Sequence, residues 1–247
     1  MITFPDDVKA AYSRSKNIIR KTPLDHSPSL SNIIDGDVYL KLDNIQKTGS
    51  FKFRGAISKM TSLNEKQRKK GVVTASTGNH GAAVSLGMKI LGINGSIIVP
   101  ENIAPNKVEN IKNLGGTVEY YGNDCLEAEQ RAQEISVTTG AIYISPYNDP
   151  VIIAGQGTMG VELDKDLSNI DTVIVAVGGG GLISGIGGYL KTVQPKVEMV
   201  GCSPKNSCVM YESLQAGRIL DLPSKPTLSD GTAGGVEENS ITFEICK

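Results

Sequence analysis

From residue 71 onward the chain alternates short β-branched runs with longer stretches in which apolar positions recur every three or four residues. Gly, Asn or Pro stands at each junction. The short runs predict strands and the longer period predicts amphipathic helices. The strands expected are Val38–Leu42, Val72–Ala75, Ser96–Val99, Thr117–Tyr121, Ala141–Ile144, Thr172–Val177 and Val197–Cys202. The helices expected include Phe53–Leu63, His80–Leu91, Pro105–Leu114, Leu126–Ser136 and Leu182–Val193. Pro105 at the start of one helix and Gly115 just past its end are ordinary start and stop signals. This βαβα rhythm predicts the α/β class, with open, mostly parallel twisted sheets flanked by helices. The block 71–148 reads as one lobe, with 1–70 and 149–247 forming a second, discontinuous one. A single doubly wound sheet fits the same pattern.

Composition then narrows the function. Twenty-five basic residues against 26 acidic give a net charge of −1, which leaves no bulk field to attract nucleic acid or an anionic membrane. No apolar run reaches the roughly 18 residues of a membrane span, and the N-terminus carries acids where a signal peptide would be basic. A cytoplasmic protein is expected. Four cysteines lack a C-x-x-C pair, and only two histidines could join them. No metal site is therefore expected, and the thiols are expected to be reduced and buried. Glycine is the outlier at 28 of 247 residues, against a usual share of about 7%.

Three constellations carry chemistry. In the first, Lys47 to Ala56, Gly49 supplies a turn and Ser50 an N-cap, which puts Lys52 in the first turn of a helix. The helix dipole there opposes a positive charge and lowers the amine's pKa, as an imine-forming or proton-accepting lysine needs. A solvated surface charge is the other reading of Lys52 alone. In the second, Thr74-Ala75-Ser76-Thr77-Gly78-Asn79-His80-Gly81, amides and hydroxyls converge at a helix N-terminus suited to a carboxylate or phosphate. A plain tight turn explains Asn and Gly equally well. His80 reads as part of that turn's hydrogen bonding rather than as a base or ligand. In the third, Val173 to Val177 runs into Gly178-Gly179-Gly180-Gly181-Leu182, and seven glycines stand between 178 and 188. So many glycines favour wrapping a phosphate over tight packing alone. The dinucleotide fingerprint fails in every register, and so does the G-K-[ST] ending of a P-loop. A small phosphorylated cofactor that also needs a lysine fits all three.

The runs Ser50–Ala56, Ser76–Gly81, Val151–Thr158 and Gly178–Leu182 stand in the order found in the serine/threonine dehydratase family, which this chain resembles over nearly its whole length. These are pyridoxal-phosphate enzymes of the tryptophan-synthase-β fold type, also called fold type II, and serine racemase is a relative. With Met210–Gly217, the run Thr74–Gly81 looks most like the hydroxyectoine-utilisation dehydratases. The resemblance implies that Lys52 carries the internal aldimine and later moves the α-proton. It implies that Phe51 borders the ring, Asn79 bonds the ring oxygen, and Gly178, Gly179, Gly180, Gly181 and Leu182 hold the 5′-phosphate. Ser76, Thr77, Asn79 and His80 would hold the substrate carboxylate, 71–148 would be the small mobile domain, and the assembly would be a homodimer.

The activity implied is dehydration of a β-hydroxy amino acid of the serine/threonine type to a 2-oxo acid and ammonia, with pyridoxal phosphate as electron sink. The family's racemases carry a serine where this chain has Thr77, whose methyl restricts rotation, so dehydration is favoured over amino acid racemisation. Their divalent cation is bound by an acidic residue where Ser203 stands here. Family members also continue past the region matched by Ser229–Gly235 to a Ser, Thr or Cys at the pyridine nitrogen. A C-terminally truncated chain is thus expected, and a cofactor-binding but catalytically incomplete fragment is an alternative.

Overall fold

Parallel strands β3 (Val72–Ala75), β4 (Gly95–Val99), β5 (Val118–Tyr120) and β6 (Ile142–Tyr143) form one sheet in the spatial order β5-β4-β3-β6. The computed structural model describes residues 2–247. Before this sheet the chain forms α1 (Asp6–Ser15), β1 (Leu24–His26), α2 (Pro28–Ile34), β2 (Tyr39–Lys41), α3 (Lys52–Ser62) and α4 (Glu65–Lys70). The sheet's connections are α5 (Asn79–Leu91), α6 (Pro105–Asn113) and α7 (Cys125–Thr139). Then follow α8 (Pro150–Asp166), β7 (Thr172–Ala176), α9 (Gly181–Val193), β8 (Glu198–Cys202), α10 (Val209–Ala216) and α11 (Ile241–Cys246). β7 and β8 pair in parallel as a separate sheet, and β1 pairs with β2 antiparallel. Three separate sheets replace the single doubly wound one that the alternation allowed.

Local chemistry sets the ends of these elements. Asn64 and Gln67 form a reciprocal capping box on α4, and the Asp124 carboxylate takes the Glu127 amide at the start of α7. Pro105 opens α6, and Gly92 and Gly140 close α5 and α7 in the left-handed conformation. Helix α8 was not visible as a period because every residue from Ile152 to Leu163 is buried, and a helix wrapped on all sides needs no polar face. Asp149 caps it by accepting from the amides of Val151 and Ile152. The expected burial of the thiols is wrong: Cys125 and Cys202 are exposed, and Cys208 and Cys246 only partly covered. Each lies at a helix start, a strand end or the last helix rather than in a core-facing stripe.

Two apolar cores flank α3 and α8. Phe53, Ile57, Met60, Val84, Ile97, Ile144 and Ile152 fill the first, between α3, α5 and the four-stranded sheet. Val8, Val175, Ile186, Leu190 and Val197 fill the second, under α9 and the β7–β8 pair. α3 and α8 approach almost backbone to backbone: a Cβ on Gly155 would lie 2.7 Å from the Cα of Gly55. The start of α3 is therefore seated on α8. No helix among the described residues is long and apolar enough to cross a membrane.

Candidate active site

Lys52 is the first residue of α3, reached through a turn in which Gly49 has φ +74°. The N-cap is Phe51, already helical at φ −59°, and no side chain caps the helix. Ser50 is therefore not the cap that the sequence suggested. Its hydroxyl and that of Thr48 are buried without partners, because the helix starts one residue later than a Ser50 cap requires. Lys52 Nζ donates to the carbonyl of Pro146 at 2.9 Å and lies 5.4 Å from the Phe51 ring centroid. Burial pulls its pKa down from 10.5 to about 8. The surface-charge reading is thereby overturned, and desolvation is the cause.

The sign of this shift is testable. Desolvation disfavours the charged amine, so half of Lys52 is free base near pH 8, against roughly 0.3% for a lysine at its ordinary value. Competitive acetylation followed by peptide mass spectrometry should place the half-reactive point of Lys52 near pH 8. A midpoint of about 10.5, that of a free lysine, would discard the assignment.

The second constellation joins β3 to α5. The amides of Thr77, Asn79, His80 and Gly81 donate to no other group among the described residues, while Gly78 N–H turns back to Ser76 Oγ at 3.2 Å. Four free amides at a helix start suit a carboxylate. His80 is buried and its Nε2 donates to the carbonyl of Ile144 at 2.8 Å. Thr74 Oγ1 donates to the same carbonyl at 2.7 Å. Burial and the nearby Lys52 charge hold the His80 pKa down at about 3, so the imidazole is neutral and anchors the turn. Asn79 is exposed, with its amide nitrogen beside Gly231.

The third constellation joins β7 to α9. Gly180 has φ +83°, and the amides of Gly178 through Ile183 find no acceptor among the described residues. The tight-packing reading of this loop holds. A Cβ on Gly178 would lie 2.8 Å from the Thr232 carbonyl, one on Gly179 2.6 Å from the Tyr147 ring, and one on Gly180 2.9 Å from Met210 Cε. Packing demands glycine, and the unused amides at the start of a 13-residue helix make an anion cradle. The Leu182 side chain packs on the core beneath α9, so only its backbone faces the loop.

Residues 144–148 join the three constellations. The carbonyls of Ile144 and Pro146 receive the anchors just described, and Tyr147 covers Gly179 and Gly181. The Tyr147 hydroxyl accepts from the Glu237 amide at 2.8 Å. Asn148 donates to Glu237 Oε2 at 2.6 Å and accepts from the Ile241 amide at 2.9 Å. Thr242 Oγ1 donates to the Gly179 carbonyl at 2.6 Å. Burial and the Glu237 charge push the Tyr147 phenol well above its ordinary value. Asn148, Glu237 and Thr242 gave no signal of their own.

An amine poised to lose its proton, linked through residues 144–148 to two sets of unused amides, can hold a ligand that has an aldehyde and a phosphate, together with a carboxylate. Residues 16–247 match the family described as "Pyridoxal-phosphate dependent enzyme". The chain belongs to this family. An L-threonine ammonia-lyase of Thermotoga maritima is 44% identical to this pyridoxal-phosphate family chain over 247 residues, which is 61% of that relative's length. A maize serine racemase structure superposes with TM-score 0.92 at 35% identity, covering 97% of this chain and 72% of its own. The processed threonine deaminase isoform 2 of Solanum lycopersicum gives TM-score 0.90 at 33% identity, over 99% and 73% of the two chains. These neighbours are fold type II pyridoxal-phosphate enzymes, so the fold-type expectation holds.

Proposed function

We propose that the chain acts as a pyridoxal-phosphate-dependent ammonia-lyase, converting a β-hydroxy amino acid of the threonine or serine type to a 2-oxo acid and ammonia. The observation that carries this reading is the half-buried Lys52 amine, with its pKa near 8, held on the Pro146 carbonyl in the same short stretch that anchors the β3–α5 turn at Ile144 and packs Tyr147 on Gly179. When bound, pyridoxal phosphate supplies an aldehyde and a ring that takes up the charge developing at the substrate α-carbon. Gly178 to Leu182 bind the phosphate through their amides. Phe51 borders the ring, and Asn79 bonds its oxygen. Ser76, Thr77, Asn79 and His80 orient the substrate carboxylate. Lys52 Nζ, whose free-base form is favoured by desolvation, accepts the proton from the substrate α-carbon.

The names of the relatives support threonine or serine as the β-hydroxy substrate, rather than one derived from hydroxyectoine. Likeness to a serine racemase supports racemisation as the second reading. Under the proposal, 71–148 is a small mobile domain, 1–70 with 149–247 is the cofactor-holding domain, and the protein is a cytoplasmic homodimer. Incubation with threonine should release ammonia and 2-oxobutanoate in equal amounts, with little D-allothreonine, the product of inversion at the α-carbon. Inversion without ammonia would move the assignment to racemase, and neither product from cofactor-loaded protein would end the lyase reading.

A further inference from the structure

Arg54 has no exposed surface and is the largest side chain so buried. Its guanidinium donates to both oxygens of Asp43, at 2.7 and 2.8 Å, and to both of Glu162, at 2.7 and 2.9 Å. It also reaches Thr22 Oγ1 at 3.2 Å. Lys41 Nζ closes the group, 2.7 Å from Glu162 Oε2 and 2.7 Å from the Thr22 carbonyl. Two cations face two anions in a dry site. Such a group gains little net stability, because desolvation offsets most of the attraction. What two bidentate contacts to one planar fork supply is direction.

That direction is spent at one place in the chain. Lys41 and Asp43 precede the turn that delivers Lys52, and Arg54 follows Lys52 by two residues on α3. Both ends of the turn are thereby tied to Glu162 on α8. The Gly55 amide adds a bond to Gln156 Oε1 at 3.2 Å. The Lys52 side chain bonds to no member of this group, so any influence on it passes through the backbone of the first turn of α3. We propose that Arg54 is a positioning residue for Lys52: its ion network fixes the place and the dryness of the amine. This rests on Lys52 being the amine that holds pyridoxal phosphate.

The test uses cofactor-loaded protein with Arg54→Lys, and Ile111→Ala, buried on α6 outside the ion network, as a stability control. Per folded molecule, Arg54→Lys should lower kcat for ammonia release about 10- to 100-fold with KM within about twofold, as misplacement by an ångström does. It should also raise the pH midpoint of Lys52 acetylation in the cofactor-free protein. Ile111→Ala should lower the unfolding temperature and move neither. If Arg54→Lys fails to fold, Lys41→Met decides, with a smaller change of the same sign in both readouts. Unchanged kcat and midpoint in the variant that folds would overturn the proposal. Wild-type protein that shows no borohydride-fixed cofactor on Lys52 would instead overturn the functional reading, so the two failures are distinguishable.

Discussion

Lys52→Ala protein will show no cofactor fixed to it by borohydride, and its ammonia release from threonine will fall at least ~10³-fold. The expectation follows from the scarcity of substitutes. His80 lies close enough for the Lys52 charge to depress its pKa, but its Nε2 proton is committed to Ile144. The neighbouring Lys59 is held by Asp149 at the cap of α8. Mass spectrometry of reduced, digested protein measures the first effect, and coupled detection of ammonia the second. Residual activity above a hundredth of wild type would mean that another group moves the α-proton. Thermal stability should change little or improve, because the variant no longer buries an amine against desolvation.

The second large effect is expected at Gly180. Valine there must adopt φ +83°, a conformation that β-branched residues avoid. Its Cβ would also stand 2.9 Å from Met210 Cε and 3.1 Å from Thr242 Cβ. Strain of this kind costs about 1–3 kcal/mol, and the loop escapes it only by turning its amides away. Loss of two aligned amides from a dianion site adds a similar amount. Gly180→Val should therefore bind pyridoxal phosphate roughly 100-fold more weakly, measured by equilibrium titration of the cofactor's absorbance. The Lys52 acetylation midpoint should stay near pH 8, since α3 is untouched. Affinity within a few-fold of wild type would show that these amides do not carry the phosphate.

Much of this architecture was legible because strand and helix periods are local. The apolar runs at 72–75, 96–99 and 172–177 and the Gly and Pro punctuation place most of the parallel strands and their connecting helices within a residue or two. α8 escaped because burial on all sides erases the period that marks a helix. β1 escaped because three residues with a mixed pattern carry almost no signal. At the site, the position of Lys52 was readable from the turn before it, but the cause of its low pKa was not. Desolvation depends on what packs over the amine, and Pro146 is distant in sequence. The Arg54 network was hidden for the same reason, since Thr22, Lys41, Asp43, Thr158 and Glu162 converge only when α3 lies on α8.

The stretch from Ile144 to Pro146 holds the β3–α5 turn with one carbonyl and the Lys52 amine with another, two residues on. Connecting loops ordinarily accept an added residue without harm. Here one extra residue after Ser145 would slide the second carbonyl by up to about 3.5 Å relative to the first. The length of this stretch is thus a spacer between amine and turn. Natural or engineered insertions should be tolerated at the exposed turns around Gly92 or Gly217 and rejected between 144 and 146.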